Sequence, residues 1–261
     1  VKGAVSHGSG QGTVFDISYF EVNDASESCF LFPDDSVVTL YEGEMDGCNQ
    51  DYSMQHGAVT DATSGASGSS SGTVGGSLTI ENVSIANSEA NLIRSFAEDI
   101  YISNVSASNT AGLHASVFAR YALRLLGSGG SGTHSAVVNN FSATMYAYGA
   151  KINAMDTYNL TNVDIGTFAL TLSPSVSTHS GPYGDDALID SLNAGSLIID
   201  RTAPIMSDID LGTGDLTISG TSPTSNQVAI SDLSAGGISV NGCGYNLDFT
   251  DVAISDTSAT G

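Results

Sequence analysis

The chain has 261 residues, enough for one large all-β domain or two ordinary ones, and its 28 acidic residues against 6 Lys and Arg give a formal net charge of −22. That charge repels phosphate backbones and anionic headgroups, and no apolar run reaches the roughly 18 residues of a membrane span, so neither nucleic-acid binding nor membrane insertion is expected. Thirty Gly, no Trp and only five Pro favour short strands and tight turns over helices.

The chain opens on "VKGAVSHGSG" and closes on "SDTSATG", which reads as a processed product or an excised piece. The first strand-like unit, "FDISYFEV", has Phe15 and Ile17 on one side of Tyr19 and Phe20 and Val22 on the other. The segment "CFLFPDDSVVTLYEGEMDGCNQDYSMQHG" then breaks the rhythm. Cys29 and Cys48 lie 19 residues apart in it and are read as a local disulfide, with two free thiols as the alternative. Cys243 is left over and reads as a small buried residue. "TSGASGSSSGTVGGS" is too polar to pack and reads as a flexible loop or linker. Residues 1–76 are therefore expected to form an irregular, capping or inserted region with a possible first coil, or else a separate domain. Residues 77–261 are expected to form the main body.

From Ser77 onward the alternation slips phase at regular intervals. Leu78 and Ile80 should be followed inward by Asn82, but the apolar beat resumes at Val83 and Ile85. The same slip occurs at Asn104, Asn140, Asn162, Asp232 and Asp251, with weaker copies at Tyr19, Asp208 and Asn241-Gly242. A strand has a period of two, so a slip of one turns its face over unless the backbone bends there. Asn, Asp and Gly tolerate the left-handed region that such a bend needs. Spacings of 22 from Asn82 to Asn104, 22 from Asn140 to Asn162, 24 from Asp208 to Asp232 and 19 from Asp232 to Asp251 give a coil of about 20 to 24 residues. The 36 residues from Asn104 to Asn140 fit one coil plus an insertion, and the 46 from Asn162 to Asp208 fit two coils. Within that insertion, "ASVFARYALRLL" is open between a short amphipathic helix and an irregular strand pair. Stacked turns would let the corner Asn and Asp side chains form a ladder.

Through "LTIENVSI", "IYISNVSA", "VVNNFSA", "YNLTNVDI", "VAISDLSA" and "LDFTDVAI" the sequence resembles the right-handed parallel β-helix of the pectate-lyase-like superfamily. It also resembles the β-helix regions of large secreted surface proteins. The resemblance is architectural and implies an all-β solenoid without specifying an activity.

Candidate chemistry is sparse. "STHSGPYGDDALID" brings His179, Asp185 and Asp186 together, a carboxylate pair suited to glycosidic cleavage and similar to the Asp-Asp element of polygalacturonase-like hydrolases. Their companion Asn-Thr-Asp and Arg-Ile-Lys elements are missing, so a polar turn is the plainer reading. Arg94, Arg120, Arg124 and Arg201 are scattered along the chain and do not suggest the Arg base of a pectate lyase. Asp208, Asp210 and Asp215 around Gly212 and Gly214 are candidate calcium ligands, although turn chemistry accounts for them too; no other cofactor is expected. Sequons at Asn82, Asn104, Asn140 and Asn159 are candidate glycosylation sites, the first three coinciding with corners.

The expectation from sequence is a non-enzymatic extracellular or cell-surface solenoid: a rod, surface-layer or filament segment, or adhesive module, whose partners are copies of itself or neighbouring modules. The alternative is a polysaccharide-active β-helix, either a glycoside hydrolase or tailspike-type depolymerase, or a carbohydrate-binding module. A sugar groove could draw on Tyr146, Tyr148 or Tyr183.

Overall fold

A computed structural model describes residues 12–26, 28–33, 35–48, 57–61, 75–88, 91–108, 121–127, 134–143, 149–153, 155–173, 187–221, 227–243 and 246–255. In chain order the strands are β1 (Val14–Asn23), β2 (Phe30–Phe32), β3 (Val37–Asp46), β4 (Gly57–Asp61), β5 (Ser77–Ala86), β6 (Asn91–Ser95), β7 (Asp99–Ser108), β8 (Leu123–Leu126), β9 (Ser135–Ala143) and β10 (Ala150–Asn153). They continue as β11 (Thr157–Asp164), β12 (Ala169–Ser173), β13 (Leu188–Asn193), β14 (Ser196–Asp200), β15 (Ile205–Asp210), β16 (Asp215–Thr221), β17 (Gln227–Ala235), β18 (Gly237–Cys243) and β19 (Asn246–Ile254). Odd-numbered strands stack in order into one ten-stranded sheet and even-numbered strands into one nine-stranded sheet, every pair parallel. This is an all-β parallel β-helix. Each odd strand crosses to the even sheet and returns one step along the axis, which is how a chain makes two parallel sheets without helical crossovers.

The core lies between the sheets. In the first sheet, the inward position of Ile17 continues through Leu40, Ile80, Ile102, Val138 and Leu160. In the second, Phe30, Val59, Ile93 and Leu123 start the facing column. These columns merge into a single apolar cluster running from Ala25 to Ala235. Coils are too short to bury much surface alone, so burial comes from stacking on neighbours.

The corners explain why the slip does not expose the core. Asn82, Asn104, Asn140, Asn162, Asp232 and Asp251 all have φ between 51° and 56°, as do Tyr19 at 55° and Asp208 at 53°. One left-handed residue restores the inward phase, so Ile80 and Val83 on either side of Asn82 are both buried. The register places all eight at one position, and two further residues complete that column: Glu42 between Tyr19 and Asn82, and Ser191 between Asn162 and Asp208. Their φ values are 51° and 58°.

The structure corrects one expectation, decides one alternative left open and carries both sheets into the first part of the chain. Asn241 is not a corner of this column, because it lies in β18 of the other sheet opposite Ser219. The end of "ASVFARYALRLL" is not helical: Leu123–Leu126 is β8, held between β6 and β10, because alternate residues Leu123 and Leu125 fill core columns. The sheets also run through the boundary drawn at residue 77, since β3 pairs with β5 and β4 with β6. Cys29 and Cys48 in this first part form a disulfide with Cα atoms 5.3 Å apart. Both are buried beside Phe30, whose ring stacks with that of Phe32.

The second sheet also has a tight corner. Gly195, Gly214 and Gly236 precede equivalent strands, and a Cβ on Gly214 would strike the carbonyl of Gly195 on the coil below.

Candidate functional site

The corner column is a hydrogen-bonded polar row on the surface. Asn162 donates to Asn140 at 2.6 Å, Asn140 to Asn104 at 2.9 Å, and Asn104 to Asn82 at 3.0 Å, each from Nδ2 to Oδ1. Parallel in-register strands repeat every 4.8 Å or so, a spacing one carboxamide can bridge while its backbone holds the bend. Beyond Asn162 the column changes character. Ser191 donates to Oδ2 of Asp208 at 2.9 Å, and Asp208, Asp232 and Asp251 then follow on successive coils.

At the other end of the ladder an open groove of about 650 Å³ crosses the corners of β1, β3, β5 and β7. Tyr19, Glu21, Glu42, Glu44, Asn82 and Asn104 supply its chemistry. Glu21 and Glu44 are direct cross-strand neighbours, and the rings of Tyr19 and Tyr41 meet edge to face at 6.5 Å. A hydrogen bond to Glu42, assisted by its charge, raises the Tyr41 hydroxyl above its ordinary pKa. Carboxylates and carboxamides beside aromatic rings suit a hydroxyl-rich neutral ligand and repel an anionic one. The sequence did not flag this groove. Its one local signal was the pair of Glu residues flanking Gly43, where an inward side chain is replaced by the ring of Phe20 reaching across.

Of the residues singled out in the sequence, His179, Asp185 and Asp186 lie outside the described residues, as do Arg120, Tyr146, Tyr148, Tyr183 and the Gly/Ser segment 62–74. Asp208 and Asp210 belong to β15 in the first sheet, whereas Asp215 begins β16 in the second. Oδ1 of Asp210 accepts a hydrogen bond from the Gly212 amide at 2.9 Å, closing the turn between them. Among the described residues no group of three or more His, Cys, Asp or Glu is arranged to hold a metal ion. The sequon residues Asn82, Asn104 and Asn140 are rungs of the ladder, while Asn159 is exposed on β11 and accepts from the Thr161 hydroxyl at 3.1 Å.

Three of the basic residues are not scattered. Arg94, Arg124 and Lys151 occupy one register position on β6, β8 and β10, so three of the chain's six cations stand in a row. The local signal was a cation between two core residues in "IRS", "LRL" and "AKI", legible only once all three are strands.

The outer face of the first sheet carries an apolar row. Tyr101, Val137, Leu188 and Ile205 share one register position, interrupted by Asn159, and all four are exposed, Ile205 to 59%.

No protein-family model matches the chain, and neither a curated protein nor a solved structure matches it.

Proposed function

We propose that the chain is a non-enzymatic structural or adhesive solenoid acting outside the cell, where it associates with copies of itself or with neighbouring modules of the same protein. The observation that carries this reading is the apolar row from Tyr101 to Ile205, parallel to the stacking axis on the outside of a stiff sheet. Outward positions of a solvated sheet are ordinarily polar, and an aligned row of large apolar side chains is a contact surface. The backbone pairing and the continuous core beneath hold that row over roughly 20 Å, five neighbouring strands of the sheet. The Cys29–Cys48 disulfide and the shortage of Lys support an oxidising, extracellular setting.

The test is association. A triple variant, Val137→Thr, Leu188→Thr and Ile205→Thr, puts strand-favouring β-branched side chains at all three positions and leaves the charge unchanged while removing three of the row's four apolar groups. Concentration-dependent light scattering should show wild-type particles that the variant does not form. Monodisperse monomers for both proteins, with no retention on a surface coated with the same chain, would refute the reading.

A second reading, carbohydrate binding, is favoured by the groove around Tyr19 and Glu42. Retention of the chain on neutral polysaccharide, lost on Tyr19→Ala, would support it. Release of reducing ends from that polysaccharide would favour the enzyme alternative instead.

A further inference from the structure

We infer that Arg124 and Lys151, backed by Arg94, form a binding site for a compact oxyanion, a carboxylate or sulfate, on the outer face of the second sheet. This is independent of the association proposed above and uses the opposite sheet.

The placement follows from alternation. Leu123, Leu125, Ala150 and Ile152 are buried in core columns, so Arg124 and Lys151 between them project to the other face. Parallel pairing sets them side by side, with Arg94 next in line. Adjacent strands lie about 4.8 Å apart, so the backbones of the three cationic residues are held within roughly 10 Å of one another. Arg94 is buried, with its guanidinium 4.9 Å from the centre of the Phe96 ring, whereas Arg124 and Lys151 are half-buried.

Half-buried like charges in a row repel one another, and the usual remedy is a carboxylate between them. This chain has 28 carboxylate side chains, yet among the described residues none pairs with Arg124 or Lys151. Arg124 lies over the Tyr121 ring at 5.9 Å, and its Nε is buried with no hydrogen-bond acceptor among the described residues. Lys151 is held below its ordinary pKa by burial and, secondarily, by the charge of Arg124. Among the described residues, neither group has an anionic partner.

Its chemistry follows from the donors. A guanidinium edge and an ammonium on neighbouring strands can both point at one planar or tetrahedral oxyanion, Arg by its fork and Lys as a point charge. Next to Lys151 stand Thr171 on β12 and, one outward position along, Asn153, which accepts from the Ser173 hydroxyl at 2.7 Å. These hydroxyl and amide groups suit an anion borne on a polar carrier. The net charge of −22 disfavours a long polyanion, so a single anionic group is the fitting ligand.

The chain has two lysines, Lys2 and Lys151, so reductive 13C-methylation of the intact protein yields few resonances, and a Lys151→Arg variant assigns the one of interest. The probes are sodium sulfate, sodium glucuronate and glucose, at ionic strength held constant with sodium chloride. The Lys151 methyl signal should shift saturably with sulfate or glucuronate but not with glucose, while Lys2 stays still. Saturation by sulfate alone assigns a sulfate-type ligand, and by glucuronate alone a carboxylate. Arg124→Gln should weaken binding roughly tenfold or more, and Arg124→Lys should keep part of it, circular dichroism showing both folded. A Lys151 signal that moves no more than that of Lys2, or equally in glucose, overturns the proposal.

Discussion

Asn104 donates an Nδ2 hydrogen to Oδ1 of Asn82 across 3.0 Å, and both residues hold left-handed backbones, φ 53° and 56°. One residue type therefore meets two demands: it tolerates the bend, and it links the coils. The two can be separated. Asn104→Gly keeps the backbone freedom but removes the hydrogen bonds to Asn82 and from Asn140, a loss of about 1–3 kcal/mol at 0.5–1.5 each. Asn104→Ala removes the same bonds and adds the left-handed penalty of about 1–2 kcal/mol. Denaturant midpoints should rank wild type above Gly and Gly above Ala. Equal values for Gly and Ala would mean that the bend is not held left-handed in solution.

The carboxylate end of the same column should be improvable. Asp208, Asp232 and Asp251 put like charges directly opposite one another on three coils, an arrangement that destabilises a sheet. Asp232→Asn supplies a donor between two acceptors and extends the ladder. It should raise stability by about 0.5–1.5 kcal/mol, more at low salt than at high salt. A thermal melt showing Asp232→Asn less stable at both salt concentrations would contradict this.

Tyr158 predicts how stability changes at alkaline pH. Its side chain lies in an inward column beside the buried end of β11, and burial holds the hydroxyl far above its ordinary pKa of 10.0; the weakly placed Thr202 hydroxyl offsets only part of this. A group whose pKa is raised by folding keeps its stabilising contribution below the unfolded value and loses it above. Stability should thus be level with respect to this group below pH 10 and fall by about 1.4 kcal/mol per pH unit beyond. Tyr158→Phe, which nearly conserves volume, should remove that increment. Urea midpoints at pH 8 and pH 11 compare the two proteins, and an equal loss in both would rule out a buried Tyr158.

Much of the fold is local information. Asn and Asp favour the left-handed region because of their own short side chains, and the period of two on either side shows that the chain bends rather than flips. The six strong corners, and the weaker ones at Tyr19 and Asp208, could be read from residue type and alternation alone. Asn241-Gly242 has the same local appearance but belongs to the other sheet, so local signals do not by themselves say which corner a residue occupies.

Tertiary structure decided whatever depends on the alignment of one coil with the next. Glu42 and Ser191 have little intrinsic preference for positive φ; pairing with strands on both sides holds them there. Chain lengths between successive corners range from 17 residues, Ser191 to Asp208, to 40, Glu42 to Asn82, because insertions leave the stack and rejoin it without disturbing register. No period in the sequence therefore aligns Arg94 with Arg124 and Lys151, or Tyr101 with Val137, Leu188 and Ile205. Those rows exist only when backbone hydrogen bonds between coils fix which residues are neighbours. Side-chain type sets where this chain bends, and interstrand pairing sets what each bend, charge and apolar group stands beside.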